Sequence, residues 1–132
     1  MTYRHARSTV SNLGYHIVWS TKYRRKVLVG PVESTLKALL LQVALNHGFQ
    51  IKYLEVMPDH VHVFAVCRPD QSPQFIYKCL KGATGRLLFL HFPQLRRYFW
   101  AGRRWNPSTF VESIGHISEA TVKRYIEDQK AA

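Results

Sequence analysis

Two helix-forming stretches, each opened by a proline, alternate with runs rich in β-branched and aromatic residues, and this order leaves few folds open. Pro31 begins a segment in which Val32, Leu36, Leu39, Leu40 and Val43 recur at three and four residues, and Gly48 follows its end. Proline is tolerated at a first helical position because that N–H has no intrahelical acceptor, and glycine takes the left-handed backbone that ends a helix. Ser72 and Pro73 repeat the device as N-cap and first residue of a second helix. Its stripe is Ile76, Cys79, Leu80, Ala83, Leu87 and Leu88, and Pro93 lies beyond its end. Gly82 and Gly85 weaken this helix and mark places where another backbone comes close.

Around these helices the strand signals are short. Tyr15 to Ser20 reads as one strand, Phe49, Ile51, Tyr53 and Leu54 to Met57 as a second, and Val61 to Cys67 as a third. Pro58 and Asp59 form a tight connection that makes the last two an antiparallel hairpin. Ser108 to Ile114 supplies a fourth strand. Ser118 then caps a terminal helix running to about Gln129, with Ile117 and Val122 at the spacing of a hydrophobic staple. The order β-α-β-β-α-β plus a final helix predicts an α+β chain of ferredoxin-like, split βαβ type. In it an antiparallel sheet carries helices on one face, and the C-terminal helix is additional.

At 132 residues and 46% apolar, the chain holds one core, which places a single domain at 14–132 behind a loose basic arm at 1–13. No stretch approaches the roughly 20 apolar residues of a membrane span, and no apolar run follows Arg4 and Arg7 as in a secretory signal. The expectation is therefore a cytoplasmic protein. Cys67 and Cys79 sit in apolar segments and form no C-x-x-C pair, which suits reduced core residues rather than a disulfide scaffold.

A formal charge of +11 directs attention to polyanions. Arg96, Arg97, Tyr98, Phe99 and Trp100, followed by Arg103, Arg104, Trp105 and Asn106, place four arginines and four aromatics within eleven residues. Guanidinium groups suit phosphates and rings suit unstacked bases, so the stretch fits a single strand or hairpin. The rival reading anchors Phe99, Trp100 and Trp105 in the core and leaves the arginines solvated. Lys22, Arg24, Arg25 and Lys26 make a second basic cluster, with Lys81 and Arg86 as further candidates on the second helix.

Chemistry enters through histidine. His60 and His62 are two apart on a strand, so they leave the same face with Cα atoms about 6.6 Å apart at a rise of roughly 3.3 Å per residue. They either converge on one cation or stand as two half-exposed strand imidazoles. Phe64 and Val66, next on that face, put the rings beside apolar packing, where polar groups need a partner. The terminal helix offers Tyr125 and Gln129 at i and i+4, which are either packing and solvated residues or part of a site. Docked near the third strand, the helix would complete an N,N,O set of His60, His62 and Gln129 for Mg²⁺ or Mn²⁺, with Tyr125 facing the phosphate as nucleophile. A phenol of pKa near 10 is phenolate to only about one part in a thousand at neutral pH, so attack needs a polarised phosphodiester. No Gly-rich phosphate loop is present, which suits a reaction without a nucleotide cofactor. Asp59 and Glu55 read as a turn residue and a strand ion-pair partner.

The segment Glu55 to Phe64, with Lys22 to Leu28, Leu80 to Ala83 and Tyr125 to Gln129, resembles the HUH-type single-tyrosine transposases of the 200/605 group of insertion sequences. The likeness runs from about Gly14 to Gln129. It implies a dimeric enzyme that nicks and rejoins single-stranded DNA at imperfect hairpin ends through a 5′-phosphotyrosine. His60, His62 and Gln129 match the family's metal ligands and Tyr125 its nucleophile. It also implies composite active sites shared between two subunits, and a cleavage site found by pairing with a guide sequence in the DNA. The short tail after Gln129 is expected of a mobile-element enzyme rather than a domesticated relative. The rival functions are a non-enzymatic, RRM-like single-strand binder, which the third strand's histidines disfavour, and a replication initiator or relaxase, which is generally larger.

Overall fold

The computed structural model describes residues 12–98, 105–116 and 119–131. Strand β1 (Leu13–Ser20) leads to helix α1 (Pro31–His47), the hairpin β2 (Gln50–Met57) and β3 (His60–Cys67), helix α2 (Pro73–His91), strand β4 (Phe110–His116) and helix α3 (Glu119–Ala131). The sheet order is β2-β3-β1-β4 with every neighbouring pair antiparallel, which is the split βαβ arrangement expected from the sequence.

Alternation along the strands separates two faces. Ile17 and Trp19 on β1, with Val61, Val63, Ala65 and Cys67 on β3, join Leu36 and Leu40 of α1 and Ile76, Leu80 and Leu88 of α2 in one core. Burying each Val, Leu or Ile side chain there contributes about 1.5–3 kcal/mol. The residues between them, His16, Val18 and Ser20 on β1 and His60, His62 and Phe64 on β3, point the other way, because side chains of a strand alternate. On that second face α3 packs, with Tyr125 over Phe64.

Local chemistry sets the ends. Gly48 takes φ 74° at the end of α1, and its N–H is bonded to Ala44 O. Ser72 Oγ accepts from Phe75 N at 3.0 Å and starts α2. The stripe of α2 is Ile76, Leu80, Thr84 and Leu88 with Phe89, while Cys79, Ala83 and Leu87 are half-buried. Thr84 hides its hydroxyl by donating to Leu80 O. Gly85 is buried, whereas Gly82 is exposed with open space around it, and among the described residues no backbone approaches there.

Some details of the strands differ from expectation. Leu13, assigned to the arm, already pairs with Cys67 and His116 in the sheet; the rest of the arm, through residue 11, lies outside the described residues. Strand β4 starts at Phe110 rather than Ser108 because Asn106 and Ser108 are held in a loop. Asn106 Oδ1 accepts from Ser108 N, and Lys81 Nζ bonds Asn106 O and Thr109 Oγ1. Within β2 the register shifts between Ile51 and Tyr53, so Lys52 is an extra residue. Ile51 therefore pairs with Ala65 on the helix-covered face, whereas Tyr53, two residues later, pairs with Phe64 on the other. Cys67 and Cys79 are free thiols. No helix among the described residues is long and apolar enough to cross a membrane. Ile117 and Ser118, expected to staple and cap α3, lie outside the described residues.

Candidate active site

The two-residue turn Pro58–Asp59 makes His60 the first residue of β3 and fixes which face it takes. Asp59 then does more than turn the chain. Its Oδ1 accepts from His60 Nδ1 at 2.7 Å and its Oδ2 from Arg24 Nε at 3.0 Å. The hydrogen bond from His60, helped by Arg24, holds the Asp59 carboxyl below the usual carboxylate range. The same turn anchors the basic segment after β1, since Thr21 N donates to Asp59 O and Leu28 N to Pro58 O, each at 2.9 Å. Between those ties Tyr23 and Arg24 adopt φ of 63° and 53°. Left-handed backbone costs a non-glycine residue about 1–2 kcal/mol, and the Arg24–Asp59 pair and the Thr21 bonds offset that strain.

His62 meets a third imidazole, one the sequence reading missed. Nε2 of His16 lies 3.3 Å from Nδ1 of His62, and the rings stack with centroids 5.5 Å apart. Burial pushes both rings below the ordinary histidine pKa. The charges on His60 and His16 add to the effect at His62, and Glu112, 3.7 Å from His16 Nδ1, partly opposes it at His16. Both are therefore neutral at pH 7, the state in which imidazole ligates metals. The available signal was strand phase: His16 alternates with Ile17 as His62 does with Val63.

Helix α3 brings Tyr125 to this face. Its ring sits 4.3 Å from Phe64 and edge-on to His16 at 5.6 Å. The hydroxyl is buried and has no hydrogen-bond partner among the described residues. Burial, with smaller contributions from Glu112 and Tyr53, pushes the phenol up to about 12. In this arrangement Tyr125 is a protonated, packed side chain. Gln129 occupies the helix position one turn further on, and its side chain lies outside the described atoms.

His60 and His62 open onto a shallow cleft of about 340 Å³ whose walls include Ser20, Arg24, Ser108 and Phe110. Among the described residues no three His, Cys, Asp or Glu side chains gather to hold an ion. Of the expected ligands, the described part of the site thus supplies the imidazole pair. Arg24, Arg25 and Lys26 are exposed and Lys22 is half-exposed, its Nζ 5.3 Å from the Tyr23 ring. Arg86, Arg96 and Arg97 are exposed too, with Arg96 over Phe89 and Arg97 over Tyr98. Two candidates for the DNA surface are engaged within the protein. Trp105 is 8% exposed, meets Trp19 edge-on and donates from its indole N–H to Lys81 O, so its ring belongs to the core. Lys81 directs its ammonium into the oxygens of the 106–109 loop. Arg103 and Arg104 lie outside the described residues.

The sequence and the fold that build this face are shared with known proteins. Residues 9–129 match the IS200-like transposase family, and the chain belongs to that family. The match begins five residues before Gly14, so the family's sequence reaches into the supposed arm. The chain is 42% identical over 124 residues to the ISDra2 transposase TnpA of Deinococcus radiodurans, covering 93% of this chain and 88% of that protein. It is 26% identical over 118 residues to the IS200 transposase of Salmonella typhimurium, covering 89% and 77%. A crystal structure of a transposase-family protein from Deinococcus radiodurans R1 superposes with a TM-score of 0.74 at 41% identity, over 91% of this chain and 92% of that one. A REP-associated tyrosine transposase bound to a REP hairpin shares the fold, with a TM-score of 0.60 at 15% identity over 90% and 65%. The RRM-like alternative gives way to this membership.

Proposed function

We propose that this transposase cleaves and rejoins single-stranded DNA at the hairpin ends of its element, with Tyr125 as nucleophile and His60, His62 and Gln129 as ligands of Mg²⁺ or Mn²⁺. The observation that carries the reading is the shared face: His60, His62 and Arg24 line one cleft, and Tyr125 packs on the same side of the sheet. The donor chemistry fits a divalent ion. Asp59 occupies Nδ1 of His60 and His16 occupies Nδ1 of His62, which leaves the Nε2 atom of each ring for an ion. When bound, the ion supplies the positive charge that polarises the scissile phosphodiester.

The chain's own groups do the rest. The Arg24 guanidinium, fixed by Asp59, balances phosphate charge at the cleft. The Tyr125 oxygen loses its proton to solvent and bonds to phosphorus, while the 3′ oxygen of the preceding nucleotide leaves and is protonated. Because the phosphotyrosine preserves the phosphodiester's energy, a free 3′ hydroxyl can attack it, release Tyr125 and rejoin the strand. A phenol with a pKa of about 12 must first leave its place beside Phe64 and His16. Pairing of two chains into composite sites would take α3 from its own sheet to the partner's. The hairpin-bound relative supports a hairpin substrate here.

The test is a labelled single-stranded hairpin end incubated with protein and Mg²⁺ or Mn²⁺. A covalent adduct is expected with wild type, none with Tyr125→Phe although DNA binding persists, and none with His62→Ala. An adduct that survives Tyr125→Phe, or cleavage in excess chelator, refutes the assignment. Mixing Tyr125→Phe with His62→Ala should restore activity if sites are shared, and its absence despite subunit exchange refutes sharing.

A further inference from the structure

His16 neither ligates nor attacks in the reaction above, yet it touches both sides of the site. Its Nε2 faces Nδ1 of His62 at 3.3 Å, its edge meets Tyr125 at 5.6 Å, and its Nδ1 lies 3.7 Å from Glu112 Oε1. The sheet dictates this position: His16 pairs with Phe64 across β1 and β3, one step along the same face from the pair Val18 and His62. Its neighbours Val18 and Phe64 are apolar, and the imidazole is only 13% exposed. A polar ring so placed loses hydration and needs a partner to offset the loss.

A neutral imidazole has one N–H and one lone pair, so in the contact between His16 and His62 one nitrogen donates and the other accepts. The direction decides what His62 can do. Accepting at Nδ1 would put its proton on Nε2 and leave that atom unable to ligate. Donating from Nδ1 leaves the Nε2 lone pair free. Glu112 beside Nδ1 of His16 favours a proton on that nitrogen, which makes Nε2 of His16 the acceptor. Protons then point one way along the row, from His62 to His16 and from His16 to Glu112.

We propose that His16 is a positioning residue for His62: it accepts the Nδ1–H of His62, holds ring and tautomer, and leaves Nε2 for the cleft. Asp59 does the same for His60, so the two histidines of the pair are oriented by different chemistries, a carboxylate and a neutral imidazole. The proposal rests on the reading of His60 and His62 as the cation-holding pair.

Two measurements on the full chain test it separately. Long-range ¹H–¹⁵N correlation of the metal-free wild type reads the tautomer directly, and His62 should carry its proton on Nδ1. A proton on Nε2 overturns the proposal whatever any variant does. Mn²⁺ titration followed by electron paramagnetic resonance then compares wild type, His16→Phe, His16→Gln and His62→Ala. Loss of an orienting partner typically lowers metal affinity about 10- to 100-fold, which is the effect expected for His16→Phe. His16→Gln, whose amide oxygen accepts from Nδ1–H, should recover most of it. Weakened binding in His62→Ala with none in His16→Phe overturns the proposal alone. Unchanged binding in His62→Ala overturns the pair reading, and with it the purpose assigned to His16.

Discussion

Replacing Tyr125 by Phe should stabilise the protein that it disarms. The ring contacts with Phe64 and His16 survive the change, and the only atom removed is a hydroxyl oxygen that is buried without a hydrogen-bond partner among the described residues. Leaving such a group unsatisfied costs about 1–3 kcal/mol. With an unfolding entropy of about 2.1 cal/mol/K per residue, 132 residues give about 0.28 kcal/mol/K. A gain of about 1–2 kcal/mol then raises Tm by about 4–7 °C. The ionisation of Tyr125 gives a second signature. Its folded pKa of about 12 lies above the unfolded value of 10.0, so the phenol's contribution is fully present below pH 10 and is lost as pH climbs towards 12. Calorimetric melts at neutral pH and across this alkaline range should show a higher Tm and a shallower alkaline decline for Tyr125→Phe. A variant that melts at or below the wild-type temperature would refute the buried-hydroxyl argument, whatever happens to the adduct.

Other substitutions separate scaffold from DNA surface. Ser72→Ala removes the cap of α2 and should cost about 1 kcal/mol in urea unfolding, with the covalent adduct still forming. Lys81→Ala should lower Tm by freeing the 106–109 loop and leave the salt dependence of DNA binding unchanged. Arg96→Ala and Arg97→Ala should keep Tm, while each phosphate contact removed flattens the slope of log K against log salt by roughly 0.7 for a single strand. Trp105→Ala should cost about 3–5 kcal/mol as a core truncation, and Trp105→Phe, if folded, should bind the hairpin like wild type.

The strand and helix order was legible because caps and periodicities are local: Pro31, Gly48, Ser72 and Pro73 act within a few residues of themselves. His60 and His62 were legible for the same reason, since a spacing of two on a strand fixes a common face. His16 was not, because its meaning depends on which strand lies beside β3, a property of the whole sheet. Asp59 was read as a turn residue, and it is one; the long reach of Arg24 from residue 24 to residue 59 gave no local signal. Trp105 and Lys81 were drawn to the DNA surface by composition, yet each satisfies the other's neighbourhood, the indole donating to the backbone of the lysine it follows by 24 positions. Charge counts show how many cations a chain has, not which are already engaged.

The extra residue in β2 marks a point where the strand tolerates a change of length. Lys52 has no place of its own in the ladder, since Ile51 and Tyr53 already pair with the consecutive residues Ala65 and Phe64. Deleting it would make Ile51 and Tyr53 neighbours in a regular strand, where successive side chains take opposite faces, so Ile51 would stay under the helices and Tyr53 on the side of α3. Losing Ile51 as well would be a different matter, because Gln50 would then have to fill its place in the apolar layer or the ladder would have to slip.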